Sequence, residues 1–288
     1  MHARLIGPAL LHAGILSLGW DLEPGILIPL VVLAVLYFRG VRVVGGVKRV
    51  PGLVWFAGGW LVLAASLLSP LHAASEQLFA AHMVQHELLM VVAAPLLALS
   101  RPLHVLLDGV PSSLRGRVEV LVDRPPARRA WRTLNRPLEA WLIHGVVIWV
   151  WHIPVLFQAT LSNDAVHAAQ HLSFLGSGYL FWASLVADDY PERGGLAILS
   201  LFTTAVHTGV LGALISFSRY PWYAAYARRA AAWGMTPLAD QQLAGLIMWI
   251  PASAAYLIAA LLIVRRWLRA SETTVSRRER EAFGPIAR

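Results

Sequence analysis

Apolar stretches long enough to cross a bilayer follow one another along almost the whole chain. A helix needs about 20 apolar residues to span hydrocarbon, and about seven stretches approach that length, at 24–38, 53–71, 78–99, 138–157, 165–187, 196–217 and 243–264. Only 14% of the residues are charged and 57% are hydrophobic, whereas a soluble domain carries about a quarter charged residues. Hydrocarbon offers backbone groups no partners, so helices that satisfy their own N–H and C=O groups are the expected solution. The expected fold is therefore all-α, a polytopic transmembrane helical bundle. One membrane domain is expected over 24–268. It follows an apolar, non-spanning N-terminal segment at 1–23, interrupted by Pro8 and Gly14, and precedes a basic cytoplasmic tail at 269–288.

The net charge is +8, carried mostly by arginine. In a soluble chain such a charge would suggest nucleic acid, but here the arginines cluster between apolar stretches. No nucleic-acid partner is expected; the expected partner of these groups is the lipid bilayer. Arg39, Arg42, Lys48 and Arg49 follow the first stretch. Arg115, Arg117, Arg124, Arg128, Arg129 and Arg132 lie in the long loop between 101 and 136. Arg265, Arg266, Arg269, Arg277, Arg278 and Arg280 close the chain. Positive charge marks cytoplasmic loops, so the N-terminus is expected outside and the C-terminus in the cytoplasm of a bacterial plasma membrane. Two loops vote the other way: 188–193 is acidic, and 218–240 carries Arg219, Arg228 and Arg229. The piece around 105–121 is amphipathic and is expected to lie along the inner membrane surface.

Within this frame the histidines stand out. FAAHMVQHELLMVVAAPLLAL carries His82 and His86, and DAVHAAQHLSFLGSGYLFW carries His167 and His171. Imidazoles are costly in hydrocarbon and mark functional sites there. A spacing of i, i+4 puts both rings of a pair on one helix face. With alternating spans, these four join His72, His152 and His207 in one slab reaching about 15 Å inward from the outer surface. Asp164, His167 and His171 share a helix face, and Asp240 and Gln241 open the last span at its outer end. Met83 and Met90 flank the first pair. The chain has no cysteine, which excludes disulfides, thiolate metal sites and iron–sulfur clusters. Imidazole with thioether suits copper, and imidazole alone also suits haem iron or zinc. HMVQH lacks the glutamate of the zinc-protease HExxH helix. The candidate metal ligands are thus His82, His86, His167, His171, His152, His207, Met83 and Met90. Asp164, Asp240, Gln241 and Gln85 are candidates to orient them. A haem protein, a metal or proton path, and a scaffold whose histidines only join helices remain alternative readings.

Three stretches carry a resemblance. They are HMVQHELLMVVAAPLLALSRPL (82–103), WHIP (151–154) with NDAVHAAQHLSFLGSGYLFW (163–182), and DQQLAGLIMWIPA (240–252). Together, in this order, they resemble the polytopic CtaG family of assembly factors of the caa(3)-type cytochrome c oxidase. The resemblance covers roughly 24–265. It implies a non-enzymatic helical membrane protein that helps to build a haem–copper oxidase through copper supply. Its expected partners are an oxidase subunit and a copper donor on the outer face. The family residues that carry over are His82, Gln85, His86, His152, His167, His171, Asp240 and Gln241. Glu87 stands where the resemblance implies an apolar residue. On this reading the ion is copper, as Cu(I), and haem is the runner-up cofactor.

Overall fold

A computed structural model describes the backbone of residues 19–186 and 190–284, and side chains outside 190–193 and 270–283. The N-terminal segment up to 18, His12 within it, and the acidic loop at 187–189 lie outside the described residues. So do the side chains of the tail beyond Arg269. Every regular element among the described residues is helical.

The helices are α1 (Pro24–Val44), α2 (Leu53–Leu68), α3 (Pro70–Ser75), α4 (Phe79–Ser100), α5 (Leu103–Gly109), α6 (Ser112–Val122) and α7 (Pro125–Leu134). They continue with α8 (Pro137–Trp151), α9 (Pro154–Thr160), α10 (Asp164–Leu185), α11 (Tyr190–Ser216), α12 (Ala227–Ala232) and α13 (Pro237–Phe283). Proline opens α1, α3, α7, α8, α9 and α13. It costs nothing there, because the first N–H groups of a helix lack intrahelical partners anyway. Ser69, Asn163 and Thr236 cap α3, α10 and α13 by accepting from Leu71, Val166 and Ala239 N–H groups.

Among the described residues, four helices are long and apolar enough to cross a bilayer: Pro24–Val44, Phe79–Ser100, Gly194–Ser216 and Pro237–Arg269. The bent pair α8 and α9 makes a fifth. Helix α2 is apolar but only 16 residues long, and α10 has the length, 22 residues, but a polar stripe. The expected continuous rod at 138–157 is corrected by the structure: it breaks at 80° between Trp151 and Pro154. Proline drives the residue before it out of the α region, and Ile153 is accordingly extended, with φ −63° and ψ 123°. The amphipathic piece is also divided, into α5 and α6, at Pro111.

The exterior is apolar: Val31, Val35, Phe202, Leu257, Ile258 and Leu261 are all exposed. The interior holds His82, Gln85, Gln170, Thr204 and Asp240 with no accessible surface. This is the arrangement expected when the solvent is lipid and polar groups must find one another inside.

Small residues let the rods approach. A Cβ on Gly40 would run into the Val105 carbonyl, and one on Gly109 into the Leu36 carbonyl, so α5 lies backbone-to-backbone on α1. Arg39 Nε donates to the Gly109 carbonyl at 3.0 Å and closes the end of α5. Gly212, Ser216 and Gly245 bring α11 and α13 together in the same way. Replacing Gly40 by Val should therefore lower stability by about 1–3 kcal/mol, the usual cost of overpacking. Gly116→Ala, in open space, should leave it unchanged; thermal unfolding in one detergent compares the two.

Candidate metal centre

The centre sits at one end of the bundle, where α3, α4 and α10 meet. Helix α4 has no cap of its own: Leu78 precedes it without a side-chain hydrogen bond. Asp240, in the first turn of α13, supplies one across the bundle. Its Oδ2 accepts from Phe79 N at 2.8 Å and its Oδ1 from Ala80 N at 2.9 Å. That pair of hydrogen bonds fixes the start of α4, and with it the depth and rotation of His82 and His86. Below the pair, α4 widens into a π-helical turn over Leu88–Ala93. Pro95 lacks an N–H and crowds the carbonyl four residues back. The wider turn frees the Met90 carbonyl instead, and Trp182 Nε1 of α10 takes it at 2.9 Å. Glu87 stands at the mouth of this turn, its buried Oε2 without a partner. Turns of this kind concentrate at functional sites.

Four imidazoles from α4 and α10 pack together. Ring centroids are 4.3 Å apart within each pair, His82–His86 and His167–His171. Across the helices they are 5.4 Å apart for His82–His167 and 5.6 Å for His86–His171. Ligand atoms of His82, His167 and His171 all lie within 4.8 Å of one another. His72, from α3, stacks on His167 at 5.6 Å.

Hydrogen bonds settle which nitrogens are available. Tyr226 donates its hydroxyl to the Ser75 carbonyl at 2.9 Å. Burial, and secondarily the nearby Asp240, push the Tyr226 hydroxyl well above its ordinary pKa, so it keeps its proton. His82 Nδ1 faces that hydroxyl at 3.1 Å and the same carbonyl at 3.3 Å. Both are acceptors toward it, so Nδ1 carries the hydrogen and the lone pair falls on Nε2. Nε2 faces Gln170 Oε1 at 3.3 Å, while Gln170 Nε2 has no partner. Turning that amide over would let it donate to His82. His86 has both ring nitrogens buried and unpartnered, and His167 and His171 each have Nε2 in that state. His72 is committed elsewhere: Gln85 donates to its Nδ1 at 2.9 Å and to the Ser66 carbonyl at 2.8 Å. Its Nε2 faces Asp21 at 3.4 Å.

The other expected residues fall in different places. His152 caps the broken end of α8, its Nδ1 donating to the Ile148 carbonyl at 2.7 Å. It stands across Phe157 and Phe174 from the cluster, at 6.4 and 6.2 Å, and its Nε2 is unpartnered. His207 does not join the cluster. It leans on Gly145 and Trp141, because α11 packs on α8 and α13 rather than on α4 and α10. Met83 and Met90 lie in the apolar core with Phe79, Ile148, Phe157 and Phe174. Asp164 is exposed in the first turn of α10. Asp240 and Gln241 touch backbone, not imidazole. Gln241 accepts from Trp222 N at 2.6 Å and donates to the Ile215 and Tyr220 carbonyls at 3.3 Å. It thereby holds the loop that delivers Tyr226. Sequence reasoning missed Gln170 and Tyr226. Gln170 lies three residues after His167, on the same face, and could have been found; Tyr226 lies in a loop with no periodicity.

A profile match decides the family: the Caa3_CtaG profile, described as cytochrome c oxidase caa3 assembly factor, matches residues 35–270. The chain belongs to the Caa3_CtaG family. It is also 27% identical, over 282 aligned residues and 89% of its length, to an uncharacterized protein of Mycobacterium bovis. The same identity and coverage hold for an uncharacterized protein of Mycobacterium tuberculosis, and identity is 24% to one of Mycobacterium leprae. The chain spans 40% of the length of these curated relatives. No solved structure matches it. In this Caa3_CtaG chain the carboxylate of Asp240 is a positioning group. Asp240→Ala would leave the Phe79 and Ala80 N–H groups buried and unpaired, a loss of about 2–4 kcal/mol. Asp240→Asn, which can still accept one of the two bonds, should lose less; thermal unfolding of both variants checks the order.

Proposed function

We propose that this protein is an assembly factor, not an enzyme, for a haem–copper cytochrome c oxidase. In this reading it holds copper as Cu(I) among His82, His86, His167 and His171 and passes it to an oxidase subunit. The observation that carries this is the convergence of three imidazole ligand atoms within 4.8 Å, from two helices, inside the bundle. The donor set supports the ion. Imidazole suits copper, and the unpartnered buried nitrogens of His86, His167 and His171 are groups a native protein rarely leaves unsatisfied. Tyr226 and Ser75, through Nδ1 of His82, keep the Nε2 lone pair available, the usual way a second group orients a metal-binding imidazole.

Copper supplies no reaction here; it is cargo. The chain's part is to exclude water with Phe157 and Phe174, to keep the imidazoles neutral and close, and to release the ion. A set of neutral ligands with no carboxylate or thiolate favours exchange over permanent holding. The position fits delivery to a centre within a membrane subunit, with a copper donor reaching the site from the outer face of the bacterial plasma membrane. Family membership supports the oxidase as client.

A haem site is the less favoured reading. A macrocycle between facing axial histidines needs a flat open slot, and here the rings pack on one another and on Phe157 at 4.9 Å and Phe174 at 4.5 Å. Protein purified from copper-replete cells should contain copper by elemental analysis and show no Soret band. His86→Ala with His171→Ala should abolish copper held at this cluster. A Soret band in the pure protein, or copper content untouched by the double substitution, would refute the assignment.

A further inference from the structure

Helices α6 and α7 contain no buried residue. A groove of about 1030 Å³ lies where they meet α1 and α5. Leu33 and Leu36 of α1 and Leu106 and Val110 of α5 line it, and α7 contributes Arg128, Trp131 and Arg132. The two arginines are the only charged residues in the lining. With Trp131 they stand at i, i+3 and i+4, so the three share one face of α7. Their Cα atoms are about 6 Å apart along the helix axis. Like charges at that spacing repel each other, and among the described residues neither arginine is paired with a carboxylate. Asp108 and Glu119 are taken by Arg115, at 2.6 and 2.8 Å. The ends of α7 do not need the arginines either. Pro125 opens the helix, and Asn135 Nδ2 donates to the Trp131 carbonyl at 2.9 Å.

We propose that this groove binds an anionic phospholipid, with its acyl chains on the leucines of α1 and α5 and its phosphate between Arg128 and Arg132. Charge selects the headgroup. A guanidinium matches phosphate oxygens two at a time, and one phosphodiester placed between the arginines relieves their repulsion. The apolar lining selects a lipid over a free anion, which would leave the leucines uncovered. It also disfavours an apolar partner helix, which would leave both arginines without a counter-charge. Trp131 agrees with this placement, because tryptophan rings settle at headgroup level. Basic pockets between membrane helices, on the side of the positive loops, hold anionic headgroups in the same way. The lipid is then the packing layer that ties α7 to α1. This site shares no residue with the histidine cluster, and the inference stands whatever ion the cluster holds.

The test titrates the purified full chain, in detergent, with phosphatidylglycerol and with phosphatidylcholine of the same acyl chains. Native mass spectrometry counts the bound lipid. Phosphatidylglycerol should bind about tenfold more tightly. Arg128→Gln with Arg132→Gln should remove that preference. Arg124→Gln with Arg129→Gln takes the same charge from the same segment outside the lining and should keep it. Val32 lines the groove and is 49% exposed. Val32→Trp therefore fills the groove with both arginines in place, and should also remove the preference. Equal binding of the two lipids by the wild type would overturn the site. So would a preference lost equally in the Arg124 and Arg129 variant, or one untouched by Val32→Trp, since either outcome means diffuse surface charge. Displacement of the lipid by glycerol phosphate would assign the arginines to a soluble phosphoester instead. A copurifying protein held in place of lipid, and lost with Arg128 and Arg132, would assign the groove to a protein partner and likewise overturn the proposal.

Discussion

Two hydrogen bonds accepted by one buried carboxylate set the register of the centre. The first turn of α4 follows Leu78, a residue whose side chain cannot cap it. Asp240 reaches from α13 and takes the Phe79 and Ala80 N–H groups. Hydrogen bonds from the N–H groups of a helix start to a carboxylate combine charge with the helix dipole. They tie the first turn of one rod to the first turn of another 160 positions away in sequence. The imidazoles of His82 and His86 hang one and two turns below that anchor. Their height relative to His167 and His171 therefore depends on a residue that never touches them.

The second constraint is local and comes from proline. Pro95 turns α4 into a π-helical segment, and Trp182 fills the carbonyl so released, which locks α4 to α10. Pro154 breaks α8 from α9, and His152 bends back to fill the last turn it leaves open. At Pro95 a missing N–H leaves a carbonyl open, and Trp182 takes it; at the end of α8 the His152 N–H turns to the Trp149 carbonyl, and the His152 ring takes the Ile148 carbonyl so released. The helices that carry the centre are thus held by polar bonds at their ends and kinks. The small residues between them supply close packing but no direction.

A lipid-solvated bundle also explains why polar groups gather into chains. Gln85, His72 and Asp21 form one, and Tyr226, Ser75 and His82 another. Each chain ends by fixing a tautomer. His72 is held away from ligation, while His82 is left with a free lone pair. The difference between two histidines of identical chemistry lies in their neighbours, one on α3 and one on the loop that Gln241 pins down.

Helix composition, the histidine pairs and their placement toward one end were legible in the sequence, because hydropathy and i, i+4 spacing are properties of a single rod. Which rods touch was not legible. His207 has the same credentials in sequence as His152, yet α11 carries it to Gly145 and away from the cluster. Met83 and Met90 flank the right histidines but turn into the apolar core. Asp240 and Gln241 sit at the expected depth but bind backbone. Tyr226 and Gln170, which decide the state of His82, come from a loop and from the facing helix. Periodicity fixes which face of a helix is polar, but the partner of that face is chosen by packing between distant segments. That choice is made by glycine contacts and end-to-end hydrogen bonds that only the folded arrangement brings into being.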